Sequence, residues 1–232
     1  PGSQTTGAEV STGIGGSMAR FTIINDSLYA VTRSDLISFD ITELTAPNRT
    51  ASTGITWDVE TIFPFNNHLL IGTMTGMYIY ELSNPAEPGY LSEFQHARAC
   101  DPVVAEGDYA YVTLKGGTAC GGFDNQLDVI DISDMSRPSL VRTYPMDGPN
   151  GLGIRNGVLF ICDGEAGLKI YDASDVNAIT SNQLAHFNDI HAWDVIPLHN
   201  LLLMIGEDGF YQYDYSDLTN IRELSVIPVT RD

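Results

Sequence analysis

Leu127-Asp128-Val129-Ile130-Asp131 is a short, mostly apolar run that closes on an acid. Four other stretches share its form: Leu36-Ile37-Ser38-Phe39-Asp40, Met77-Tyr78-Ile79-Tyr80-Glu81, Leu168-Lys169-Ile170-Tyr171-Asp172 and Phe210-Tyr211-Gln212-Tyr213-Asp214. The closing acids follow one another after 41, 50, 41 and 42 residues. A repeat of about 40–45 residues built from several short strands is the sequence mark of a β-propeller blade. The chain therefore reads as all-β. It is expected to form a β-propeller of five four-stranded antiparallel blades over residues 17–232, after a flexible segment at residues 1–16 rich in Gly, Ser and Thr.

Each unit divides the same way. An inner strand A is expected at 20–24, 59–63, 102–105, 152–154 and 194–197. Polar turns follow, such as Asn66-Asn67 and Arg155-Asn156-Gly157, whose residues tolerate left-handed backbone. Strand B comes next, and the acid-closed phrase is strand C. Gly76, Gly167 and Gly209 each stand five residues before a closing acid, where a positive φ in the B–C hairpin explains them. Thr42, Ser83, Ser133, Ser174 and Ser216 stand two residues after the acids. That spacing assigns the acids to turn capping rather than to catalysis or calcium binding. Pro47, Pro88 and Pro138 then interrupt the ladder before the outer strand D.

The net charge of −19 comes from 30 acids and 11 bases. Phosphate binding needs a basic footprint, so nucleic acid is excluded as a partner. An anionic membrane surface is disfavoured for the same reason, and no apolar run is long enough for a membrane-spanning helix. Three cysteines suggest one pair and one single thiol, and an oxidising compartment. Unit three carries an insertion between strands B and C, at residues 115–126. It places Cys120 on the same face as Cys100, so a Cys100–Cys120 disulfide is expected, with Cys162 a buried thiol.

Ser11-Thr12-Gly13-Ile14 repeats as Ser52-Thr53-Gly54-Ile55, which leads out of the first strand D. The first copy therefore reads as the outer strand of a preceding blade. The strand-C phrases and the trailing Asp131-Ile132-Ser133 resemble the LVIVD-repeat family of bacterial β-propellers. The resemblance covers roughly residues 17–228. It implies an extracytoplasmic protein, secreted, periplasmic or lipid-anchored, in which these five blades belong to a larger ring of about seven. It carries over no catalytic residue.

Unusual side chains cluster on the D–A connections, which share one face, the top, with the B–C loops. They are Trp57 and Asp58 entering unit two, and His96, Arg98 and Asp101 entering unit three. Asn150 enters unit four, and His191, Trp193 and Asp194 enter unit five. Tryptophan and arginine are enriched where proteins grip partners. The expected function is a non-enzymatic binding module presenting this face to a protein or glycan of the cell envelope. One alternative is a lactonase-like hydrolase holding a divalent cation such as calcium at the channel mouth, although no dense run of oxygen ligands is present. The other is a purely structural envelope propeller. No nucleophile elbow or phosphate-binding loop is found, so no cofactor is expected.

Overall fold

A computed structural model describes residues 15–95, 102–117 and 124–229. Blade 1 contains β1 (Phe21–Ile24), β2 (Ser27–Val31), β3 (Asp35–Asp40) and β4 (Asn48–Gly54). Blade 2 contains β5 (Val59–Phe65), β6 (His68–Thr73), β7 (Gly76–Glu81) and β8 (Gly89–Gln95). Blade 3 follows with β9 (Val103–Glu106), β10 (Tyr109–Leu114), β11 (Gln126–Asp131) and β12 (Ser139–Pro145). Blade 4 has β13 (Leu152–Arg155), β14 (Val158–Cys162), β15 (Leu168–Asp172) and β16 (Gln183–Phe187). Blade 5 has β17 (Ala192–Pro197), β18 (Leu201–Gly206), β19 (Gly209–Asp214) and β20 (Arg222–Pro228). Each blade is a four-stranded antiparallel meander in chain order, and every strand C ends on its expected acid. The Ser11–Ile14 outer strand, and nearly all of the 1–16 segment, lie outside the described residues.

The local chemistry of the repeat is consistent from blade to blade. Asp40, Asp131, Asp172 and Asp214 each accept the backbone N–H two residues on, at 2.9–3.0 Å. Hydroxyls of Thr42, Ser133 and Ser216 add a second bond at 2.6 Å. Glu81 accepts the Ser83 hydroxyl, at 3.2 Å. The acids are therefore turn caps. Strand D begins immediately after Pro47, Pro88 and Pro138. All five C–D pairings shift register at one repeat position, between the second and first residues before the acid. Each strand D thus carries a β-bulge, which bends and twists the outer edge.

One expectation needs correction. Of the three hairpin glycines only Gly167 has a positive φ, at 90°. At Gly76 and Gly209 the constraint is the neighbouring strand. A Cβ there would sit 2.5 Å from the carbonyl oxygen of Phe94 or Ile227 on strand D. The A–B turns do use left-handed backbone, at Asn25, Asn66, Asn67 and Asn156 among others.

Blades pack face to face through four apolar cores. Tyr29, Leu36, Ile62 and Leu69 meet between blades 1 and 2. Leu70, Ile79, Val112 and Ile130 fill the space between blades 2 and 3. Val129, Leu152, Leu159 and Ile161 lie between blades 3 and 4. Phe160, Ile170, Leu202 and Met204 lie between blades 4 and 5. Among the described residues no fifth core joins blade 5 to blade 1. The inner strands β1, β5, β9, β13 and β17 pack in succession around the axis, without comparable packing of β17 on β1.

At the axis the approach to β1 is bonded to the inner strands of blades 2, 4 and 5. Ala19 accepts the Ile62 N–H of blade 2 at 2.9 Å. Ser17 accepts the Leu152 N–H of blade 4 at 2.8 Å and donates to Asp194 of blade 5 at 3.0 Å. The approach borders a cavity of about 180 Å³ that is also lined by inner-strand residues of all five blades, including Phe21, Phe63, Val104, Gly153 and Val195.

Candidate functional site

The top face is assembled as the repeat requires. D–A connections and B–C loops meet there: Asn150 donates its N–H to Cys162 O at 2.7 Å, and Glu207 donates its N–H to His191 O at 2.9 Å. Between blades 3, 4 and 5 these segments border an open cleft of about 350 Å³. Its lining includes Lys115, Asn125, Asp147, Asp163, Glu165 and His191.

The cleft is held by polar bonds. Lys169 Nζ lies 2.6 Å from both Asp147 Oδ2 and Asp163 Oδ2. The Asp163 side chain is fully buried and also accepts the N–H groups of Asp147 and Gly148, the latter at 2.8 Å. Burial alone would lower the Lys169 pKa, but its bonds to the two carboxylates outweigh burial and raise it. Those same bonds hold Asp147 below the usual carboxylate range. Lys115 donates to Asn150 Oδ1 at 2.6 Å, and Asn150 Nδ2 donates to Ala192 O at 2.9 Å. Lys115 and Lys169 are the only two lysines in the sequence; Lys115 lines the cleft, and Lys169 holds two of its acids. Asn125 ties the base of the long insertion to Gly116 N–H and Asp147 O.

The sequence candidates fall into three groups. Trp57 and Trp193 are 61% and 42% exposed, so neither tryptophan is packed between blades. Trp193 meets His191 edge to face at 6.3 Å, and His191 Nδ1 lies 3.0 Å from Glu207 Oε2. Asp58 shares the Trp57 connection and adopts a φ of 62°. Asn150 and Asp194 are engaged internally, Asn150 as the bracket just described. Asp194 accepts Ser17 Oγ–H and backbone N–H groups of Ser17, Met18 and Val195, while burial raises its pKa overall. Gly16 and Gly151 flank it so closely that a Cβ on either would overlap the carboxylate. His96, Arg98, Asp101 and the Cys100–Cys120 pair lie outside the described residues. Cys162 is a buried free thiol, as expected, and burial pushes its pKa well up. Among the described residues no three His, Cys, Asp or Glu side chains converge as metal ligands, and no helix is long and apolar enough to cross a membrane.

Lys115, Asn125, Asp147 and Lys169 were not among the candidates. Scarcity was the available signal: two lysines in a chain of this acidity invite the question of what each one holds.

Comparison with known proteins agrees with the geometry. Residues 97–145 match the family model described as LVIVD repeat. A search of curated proteins finds no match. Among solved structures, a functionally unknown protein from Desulfotomaculum acetoxidans superposes with a TM-score of 0.69 at 12% identity, covering 95% of this chain and 70% of its own. A protein from Lactobacillus plantarum gives a TM-score of 0.66 at 11% identity, with 88% and 73% covered. The computationally designed Ika8 protein gives 0.65 at 12% identity, with 89% and 60% covered. The chain thus spans about 60–73% of the length of these structures, whose likeness is one of fold. The chain is a β-propeller that contains an LVIVD repeat.

Proposed function

We propose that this propeller is a non-enzymatic binding module that works outside the cytoplasm and presents its top face to a protein or glycan of the cell envelope. The observation that carries the reading is the pairing of exposed aromatic rings with a fixed polar cleft on one face. Trp57 is exposed on the D–A connection entering blade 2, and Trp193 is exposed at the irregularity near the start of β17, where it adjoins His191 of the cleft. Aromatic rings supply contact area at low entropic cost, and fixed amide, carboxylate and ammonium groups supply orientation. The cleft groups are already bonded to one another, so little ordering is needed on binding. The three cysteines support an oxidising compartment, and a Cys100–Cys120 bridge would anchor the blade 3 insertion beside the cleft.

The test is binding of the purified protein to a glycan array and to immobilised envelope proteins. Trp193→Ala and Trp57→Ala should each weaken a captured ligand. Their stability should change by less than about 0.5 kcal/mol, as for exposed positions generally. Unchanged capture by the double variant would remove this face from the reading. Non-reducing peptide mapping should recover Cys100 linked to Cys120, and two free thiols there would count against the oxidising compartment.

A further inference from the structure

The repeat allows every residue to be compared with its counterparts in the other blades, and the two ends of the arc fail that comparison in the same way. Phe21 occupies the position of Ile62, Val103, Leu152 and Val195, as the A–B pairing shows. Those four are 0–1% exposed, whereas Phe21 is 62% exposed. On the same rear face of blade 1, Leu28, Ile37, Phe39 and Ile41 are only partly covered. Of their blade 2 counterparts Leu69, Tyr78, Tyr80 and Leu82, Tyr78 is partly covered and the other three are 0–3% exposed against blade 1.

The forward face of blade 5 is the mirror case. Ile205 matches Val31, Thr113 and Cys162, which are 7%, 0% and 0% exposed, yet it is 47% exposed itself. Leu201, Leu203 and Phe210 share that face and are partly exposed. Phe210 stands where Leu36, Met77, Leu127 and Leu168 are buried. Both end faces thus carry the apolar pattern of an inter-blade core, with no neighbouring blade against them among the described residues. Burying such side chains is the main favourable contribution of blade packing, and contiguous exposed apolar faces mark interaction sites.

We propose that these two faces are inter-blade surfaces and that further blades of the same gene product occupy the gap between them. Three observations select this occupant. The exposed positions are those at which consecutive blades of this chain bury one another. Two added blades would give seven, within the usual range of about four to eight, and the chain covers only 60–73% of the three structural neighbours described above. Closing the gap with a second copy would instead make a ring of ten blades, outside the usual range of about four to eight.

The experiment uses the native gene product. Its mass in solution is measured by light scattering, and Phe21, Phe39 and Phe210 are footprinted with hydroxyl radicals, with Phe160 as the buried reference. A monomer in which all three are protected like Phe160 is expected. A monomer in which they are labelled overturns the proposal, as does protection that appears only in a concentration-dependent dimer. Phe39→Asp and Phe210→Asp provide a second reading. Each should lower the melting temperature of the gene product as Phe160→Asp does, and neutral behaviour would overturn the proposal.

Discussion

Ser17 and Asp194 are 177 residues apart in the chain and 3.0 Å apart in space. Through this pair the segment entering the first blade is fastened to the last blade, and the same Ser17 oxygen receives the Leu152 N–H. Ser17→Ala removes both bonds and leaves a buried N–H of β13 unpaired. A buried donor without a partner costs about 1–3 kcal/mol. Urea unfolding should show a loss in that range. A loss below 0.5 kcal/mol, the scatter of ordinary surface changes, would mean the clasp contributes nothing to the fold.

Acid should weaken the protein through its turn caps. Hydrogen bonds from residues two positions on hold Asp40, Asp131, Asp172 and Asp214 below the ordinary carboxylate range, Asp214 down to about 2. A carboxyl whose folded pKa is depressed contributes stability that is present above its unfolded value, about 3.9. That stability is lost as the pH falls through the folded value. Asp194 has the opposite sign. Burial raises its pKa, so its contribution is present below the unfolded value and fades as the pH rises through the folded one. Urea midpoints should therefore fall between pH 5 and pH 2. Asp131→Asn should flatten that fall, and Asp194→Asn should steepen the rise just above pH 4. A midpoint independent of pH across this window would refute the assignment of the acids to the turns.

Gly76→Ala and Gly209→Ala should each destabilise a blade by about 1–3 kcal/mol, the usual cost of forcing extra volume into a packed site. The clash is with a backbone carbonyl of strand D, which cannot move without disturbing the C–D ladder. Gly54→Ala is the control, since no heavy atom lies within 4 Å of a Cβ placed there. Equal denaturation midpoints for the three variants would show that strand D yields freely.

The repeat made the architecture legible, because a closing acid two residues before a hydroxyl has one local use, and it recurs five times. The glycine rule was half legible. The sequence showed that Gly76 and Gly209 matter, but a close approach by strand D depends on the C–D pairing at those positions, which no local pattern encodes. The site was less legible still. Trp57 and Trp193 stood out by type. Asp194 stood out equally, although its carboxylate serves the clasp with Ser17. Lys115 and Lys169 belong to different blades, and only the wrapping of the chain around the axis brings Lys115 to the cleft whose acids Lys169 holds.

Lys169 should prove indispensable because of Asp163. The Asp163 side chain is fully buried, and its charge is balanced by one ammonium 2.6 Å away. Removing one partner of a buried pair leaves an uncompensated charge, at a cost of about 3–5 kcal/mol. Lys169→Met should fall near the lower end, since Asp163 keeps two backbone N–H donors and Lys169 also serves the exposed Asp147. Adding Asp163→Asn removes the stranded charge while keeping an acceptor for Gly148 N–H, so the double variant should regain much of the loss. Lys169→Arg is not a conservative exchange here, because the larger planar guanidinium differs from an ammonium in reach and donor geometry. Urea unfolding of the single and double variants gives the coupling directly. If Lys169→Met is neutral, the two N–H donors alone hold Asp163, and the lysine is free to serve a ligand in the cleft.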